Sequence, residues 1–175
     1  MLKRSLLVLA LLAAARTAQA EPNHPFGLGL VLGEPTGLTA KLYLGRPAAL
    51  QFGLGWIDTF NDYSGLYVNM DVLWHPAILT RQPAFTLPFY LGVGGRILDH
   101  NWRYYVNRTD YIDQHDTHLG VRVPFGILFD FNHVPLDLYF ELAVVVDLIF
   151  FDQNDPYDDH RRVDLNGGIG ARYYF

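Results

Sequence analysis

From His118 to Phe151 apolar and polar residues alternate without a slip on both sides of a single interruption, Asn132-His133-Val134-Pro135. On the first arm Leu119, Val121, Val123, Phe125, Ile127, Phe129 and Phe131 form one row, against His118, Gly120, Arg122, Pro124, Gly126, Leu128 and Asp130. On the second arm Leu136, Leu138, Phe140, Leu142, Val144, Val146, Leu148 and Phe150 stand against Asp137, Tyr139, Glu141, Ala143, Val145, Asp147, Ile149 and Phe151. A period of two sustained this far means strand, because successive side chains of a strand point to opposite faces. The run is a long β-hairpin. Each arm exceeds the roughly 9–11 residues that a tilted strand needs to cross a bilayer.

The rest of the chain repeats the pattern. Phe26, Leu28, Leu30 and Leu32 make a first apolar row before the turn Glu34-Pro35-Thr36-Gly37. Leu38, Ala40, Leu42 and Leu44 make a second, and Leu50, Phe52, Leu54 and Trp56 a third. Further strands are expected over Leu66–Trp74, Leu87–Leu98 and Val163–Phe175, so that the hairpin supplies the sixth and seventh of eight. The connections Ile57–Gly65, Asp99–Thr117 and Asp152–Arg162 are polar and fall at one end, the expected external side; His75–Thr86 is expected as a turn at the other. Short periplasmic turns with longer external loops are the habit of outer-membrane barrels.

A soluble barrel would turn its apolar rows inward and show water a second set rich in lysine and glutamate. Here the second rows hold glycine, tyrosine, asparagine and a few charges of both signs, and no apolar row holds a charge. Trp74, Phe131, Tyr173 and Phe175 would fall at one rim and Trp56 and Phe150 at the other, where aromatic girdles belong. The fold class that follows is all-β: an eight-stranded antiparallel transmembrane β-barrel. Its polar rows predict a filled lumen with a network of Lys41, Asp71, Arg96, Arg122, Glu141, Asp147 and Arg172, with glycines making room for Tyr43, Tyr67, Tyr90, Tyr139 and Tyr174.

Residues 1–20 have the layout of a cleavable signal peptide, with Lys3 and Arg4, an apolar run from Ser5 to Ala15, and Ala18-Gln19-Ala20 before Glu21. Residues 21–175 are then the barrel. Cleavage removes three of the 13 basic residues and none of the 18 acidic ones, so the formal charge moves from −5 to −8. Such an acidic chain, with Lys41 as its one remaining lysine, is a poor partner for nucleic acid. With no cysteine there is no disulfide framework and no lipid-modified cysteine.

The chain ends Ile169-Gly170-Ala171-Arg172-Tyr173-Tyr174-Phe175. The placing of Gly170, Tyr173 and Phe175 resembles the C-terminal signal read by the outer-membrane assembly machinery of bacteria. More widely, Gly33-Glu34-Pro35-Thr36-Gly37 with Lys41, the stretch Leu87 to Arg96, Gly120 to Gly126 and Pro135 to Glu141 resemble an uncharacterised family of small bacterial outer-membrane β-barrels of OmpX/OmpA-barrel-like architecture. The resemblance implies a Gram-negative outer-membrane location, with outer-membrane lipid and the assembly machinery as partners. It carries no activity.

Chemistry is sparse. Some barrels of this size modify lipid A, and a serine with a histidine would be the signature. Ser64 is the one serine beyond the leader, and His100, His115 and His118 are expected near the same rim, although no local motif ties them together. Asp152, Asp155, Asp158 and Asp159 offer carboxylates to a divalent cation but lack the glycine and spacing of a calcium loop. Trp102, Tyr104, Tyr105 and Tyr111, among charges in the longest external connection, are candidate contact residues for an extracellular ligand or can pack as a lid.

The expected role is a monomeric structural or surface-binding, adhesin-like barrel without catalytic residues, metal or cofactor. A lipid A-modifying enzyme and a small solute or lipid conduit remain the alternatives, because a fold does not choose among them. Deleting Phe175 should lower the amount of folded protein in the outer membrane; normal amounts after the deletion would contradict an assembly role for that residue.

Overall fold

A computed structural model describes residues 25–45, 47–58, 64–105, 111–151 and 162–175. Eight strands follow in order: β1 (Phe26–Gly33), β2 (Thr36–Gly45), β3 (Ala48–Asp58), β4 (Ser64–Arg81), β5 (Phe85–Tyr105), β6 (Tyr111–Phe131), β7 (Leu136–Phe151) and β8 (Arg162–Tyr174). Each pairs antiparallel with its sequence neighbour, and β1 pairs with β8, from Gly27 opposite Tyr174 to Gly33 opposite Gly168, to close a barrel. Closure matters because an open edge presents unpaired N–H and C=O groups, which lipid cannot satisfy.

The faces are distributed as the alternation requires of a membrane barrel. Leu30, Leu32, Met70, Val93, Val123, Phe140, Leu165 and Ile169 point outward and are exposed, Leu32 at 69%. Tyr67, Asp71, Tyr90, Arg96, Arg122, Tyr139, Glu141 and Arg172 point inward and are buried. This is the reverse of a soluble barrel, so the chain does not build one. Slipping any strand by one residue would put its charges outside and its leucines inside.

The near rim, where β1 begins and β8 ends, carries the joins at 46–47, 82–84 and 132–135; the far rim carries those at 34–35, 59–63, 106–110 and 152–161. At the far rim Gly33 adopts φ +136°, and a Cβ there would run into the carbonyl oxygen of Gly167. The Thr36 hydroxyl closes the tight turn, accepting from Gly33 N at 3.0 Å and donating to Gly33 O at 2.8 Å. At the near rim the Asn132 amide joins two turns by donating to Gln82 O at 2.8 Å and Pro83 O at 3.1 Å, while Thr86 Oγ1 donates to Asn132 Oδ1 at 3.2 Å.

Three boundaries differ from the sequence expectation. The turn expected over His75–Thr86 is mostly strand: β4 runs on to Arg81, with register shifts between Trp74 and Ala77 and between Ile78 and Thr80. Each shift breaks the period of two, and Pro76 adds a helix- and strand-breaking signal, so the continuation is hidden in the sequence. The connection expected over Asp99–Thr117 is also largely strand, because β5 and β6 pair without interruption from Asp99 opposite Thr117 to Tyr105 opposite Tyr111. Both faces of that ribbon are polar or mixed, which removes the alternation by which a strand is recognised. Ser64 likewise opens β4, opposite Asp58, instead of lying in the expected connection Ile57–Gly65. The expected leader, 1–20, and the acidic group Asp152, Asp155, Asp158 and Asp159 lie outside the described residues.

Candidate functional site

The chemistry-bearing side chains of the described residues converge on the lumen, because the inward row of every strand brings them there. In the outer part Arg96, on β5, grips Asp147, on β7, with two hydrogen bonds, Nε to Oδ1 at 3.0 Å and Nη2 to Oδ2 at 2.7 Å. This fork-on-carboxylate geometry is among the stronger polar contacts available to a protein. Arg96 Nη1 also donates to Asp164 Oδ2 at 3.1 Å and to Asn166 Oδ1 at 3.2 Å, and the latter accepts from Tyr67 Oη at 3.3 Å.

At mid-height Arg122, on β6, lies between two carboxylates. Its Nη2 donates to Glu141 Oε1 at 2.5 Å and its Nη1 to Asp71 Oδ2, which also accepts from Asn69 Nδ2 at 2.7 Å. Glu141 Oε2 takes two more donors, Gln51 Nε2 at 2.7 Å and Tyr90 Oη at 2.8 Å. Gln51 links this group to the near-rim group by accepting from Arg172 Nη1 at 2.8 Å. Arg172 donates from Nε to Asp137 Oδ1 at 3.0 Å and stacks over Tyr139 at 4.0 Å, and Tyr174 Oη donates to Asp137 Oδ2 at 2.5 Å. Lys41 Nζ lies 2.8 Å from His75 Nε2.

Steric space for these groups comes from glycine, and the strand register shows how. Lys41 stands opposite Gly27, Asp71 and Arg122 opposite Gly94, Arg96 and Asp147 opposite Gly120, Glu141 opposite Gly126, and Arg172 opposite Gly29. Two rings use the device most tightly. A Cβ on Gly126 would be 2.5 Å from Tyr90 Oη, and one on Gly170 would overlap the ring of Tyr139. Alternating large and absent side chains across a strand pair lets eight strands enclose four long cations.

All seven charged residues expected in the lumen are therefore there and buried, and six of them join carboxylate–guanidinium contacts; Lys41 pairs with a histidine instead. Asp137, Gln51, His75, Asp164 and Asn166 join the network beyond the residues expected from the sequence. Asp137, on the same inward row as Tyr139 and Glu141, was available from alternation alone. His75 was not, since it sits where β4 loses its period.

The rim residues are placed by register. Trp102 is opposite Gln114, Tyr104 opposite Ile112 and Tyr105 opposite Tyr111, so the four aromatic candidates belong to the β5–β6 hairpin and not to a loop. Ser64 stands opposite Asn101, His100 opposite Gly65 and His115 opposite Asn101, so neither histidine faces Ser64 in register. His118 is buried inside, its Nδ1 3.8 Å from Asp147 Oδ2. Among the described residues no group of three or more histidines and carboxylates is arranged to hold a metal ion. At the chain end Phe175 N donates to Phe26 O at 2.9 Å, and its ring meets that of Tyr173 edge-on with centroids 5.1 Å apart.

No protein-family model and no curated protein matches the sequence. Among solved structures, the crystal structure of the N-terminal β-barrel domain of Pseudomonas aeruginosa OprF aligns with a TM-score of 0.51, covering 86% of this chain and 95% of that one. The two share a fold. Their sequence identity is 12%, so the likeness to the OprF barrel carries architecture and nothing about ligands.

Removing Arg122 tests the lumen network. Arg122→Ala leaves Asp71 and Glu141 facing each other without their shared cation, and breaking a buried ion pair in this way costs about 3–5 kcal/mol. The expected outcome is a clearly lower urea midpoint for unfolding from detergent or lipid, against little change for Val123→Ala on the outward face. An unchanged midpoint for Arg122→Ala would contradict the network.

Proposed function

We propose that the chain is a small integral β-barrel of the Gram-negative outer membrane, structural in its lumen and engaged in contact through its far rim. The observation that carries the reading is the combination of an ion-paired interior with an uncharged, apolar exterior on one closed barrel. An apolar exterior of this kind needs lipid around it. The outer membrane is favoured by the leader-like residues 1–20, by the aromatic chain end and by the resemblance to small outer-membrane barrels; the near rim would then face the periplasm. Outer-membrane lipid and the assembly machinery would be its partners, and a barrel with every strand paired on both sides gives no reason for more than one copy.

A conduit is disfavoured by the side chains that cross the lumen at three heights, and among the described residues no strand register pairs a histidine with Ser64. What the scaffold presents outward is the β5–β6 hairpin, which rises past the last β4 pairing at Ser64 and the last β7 pairing at Thr117. Rigid scaffolds commonly carry recognition on such projections. Trp102, Tyr104, Tyr105 and Tyr111 supply the large amphipathic side chains that concentrate contact energy. An adhesin-like role for an extracellular ligand is the finer form of this proposal.

Because Asp99 and Thr117 are register partners, a short turn can join them and remove the projection cleanly. The shortened barrel should still resist unfolding when unboiled, while capture of envelope or host-surface components by the intact chain should be lost. Stable single-channel steps in planar bilayers, or loss of a lipid A modification on Ser64→Ala alone, would contradict the contact reading.

A further inference from the structure

At the near rim β3 accompanies β4 only as far as Trp74, opposite Ala48. The next residue, His75, makes a further tie: its backbone N–H donates to Pro47 O at 3.1 Å, and its Nδ1 lies 3.0 Å from the same oxygen. A ring nitrogen that close to a carbonyl oxygen carries the proton, so in the neutral ring Nε2 is bare. That bare nitrogen accepts from Lys41 Nζ at 2.8 Å. Lys41 is wholly buried, and among its described hydrogen bonds its acceptor is an imidazole, where the three lumen arginines all have carboxylates.

Two tyrosine rings and four charged groups surround this pair. Tyr43, on β2, packs its ring 5.5 Å from His75 and 4.7 Å from Lys41 Nζ; Tyr90, on β5, lies 5.8 Å and 5.4 Å away in the same sense. The charged groups acting on Lys41 from the other strands are Arg172 on β8, Asp137 and Glu141 on β7 and Asp130 on β6. Asp137 is held by Arg172 and Tyr174, and Glu141 by Arg122, Gln51 and Tyr90. Neither is free to turn to a second cation; Asp130 acts on Lys41 through space and makes no described hydrogen bond to it.

We infer that Lys41 and His75 form an acid-sensitive latch at the near mouth of the lumen, closed while the imidazole is neutral and opened when it takes up a second proton. The histidinium ring has a donor on both nitrogens. Its Nε2–H then points at the ammonium donors of Lys41, so a hydrogen bond is replaced by two like charges at contact, away from bulk water. Relief comes from moving His75, and with it the tie from β4 to the β2–β3 turn.

The test is nuclear magnetic resonance on the full-length ¹⁵N-labelled chain folded in detergent micelles. At about pH 8 His75 should show a protonated Nδ1 and a bare Nε2; as the pH is lowered through and below the range in which histidine ordinarily changes charge, both nitrogens should become protonated. Over the same interval protection of the His75 amide, corrected for the intrinsic exchange rate, should fall by about tenfold or more, the linkage expected of a one-unit difference in proton affinity between closed and open forms. Lys41→Met removes the repulsion and His75→Gln removes the titration while keeping an acceptor, so each should hold its protection through the same range. The latch is overturned if protection persists in the unmodified chain while His75 titrates, if either variant loses protection as the unmodified chain does, or if neutral His75 carries its proton on Nε2.

Discussion

Arg122 held between Asp71 and Glu141 is the contact on which the barrel's geometry depends most. It spans the lumen from β6 to β4 and β7, strands that do not all neighbour one another. A guanidinium taken from water into a barrel interior is costly unless its partners are in place. The carboxylates reach it only if β4 and β7 sit in one register, and in that register their leucines, valines and methionine face outward. Charge pairing inside and lipid burial outside thus select the same alignment of strands, and each penalises the slip that the other would also reject. The ion pair need not add much net stability to specify the fold in this way.

The second requirement is space. Four long cations and five tyrosines are too much for the interior of eight strands if every wall residue has a side chain, and the glycines opposite them resolve this. Gly94 serves Asp71 on one side and Arg122 on the other, and Gly120 does the same for Arg96 and Asp147. A methyl group on Gly94 would overlap the Asp71 carboxylate itself, which couples the packing of the wall to the ion pair it frames. Glycine is entropically unfavourable in a strand, so its concentration on inward rows reflects the filled interior it permits.

Alternation made most of this legible. Inward and outward rows, strand number, the turn at Asn132–Pro135 and the burial of Lys41, Asp71, Arg96, Arg122, Glu141, Asp147 and Arg172 all follow from a period of two with a known charge pattern. The period itself fails in two places. The bulges after Trp74 and Ile78 shift the phase, so His75–Arg81 looks like a turn, and with it His75 dropped out of the interior. Along the β5–β6 projection the residues on both faces are polar or mixed, so the strands there leave no hydrophobic trace. Partner choice across the lumen was illegible for a different reason: Gln51 meets both Glu141 and Arg172 because of strand tilt and stagger around the closed barrel, which no single strand encodes.

Since the chain contains no cysteine, a spin label introduced at one position at a time is unique. Labels at each residue from Leu138 to Val145, on the chain reconstituted in lipid vesicles, would read directly which row of β7 meets lipid. Accessibility to oxygen, which concentrates in the hydrocarbon, should peak at residues 138, 140, 142 and 144 and fall at 139, 141, 143 and 145, with accessibility to a water-soluble relaxation agent low throughout. A profile of opposite phase, or one in which residues 138, 140, 142 and 144 meet the water-soluble agent, would contradict a lipid-facing apolar row around a charged interior.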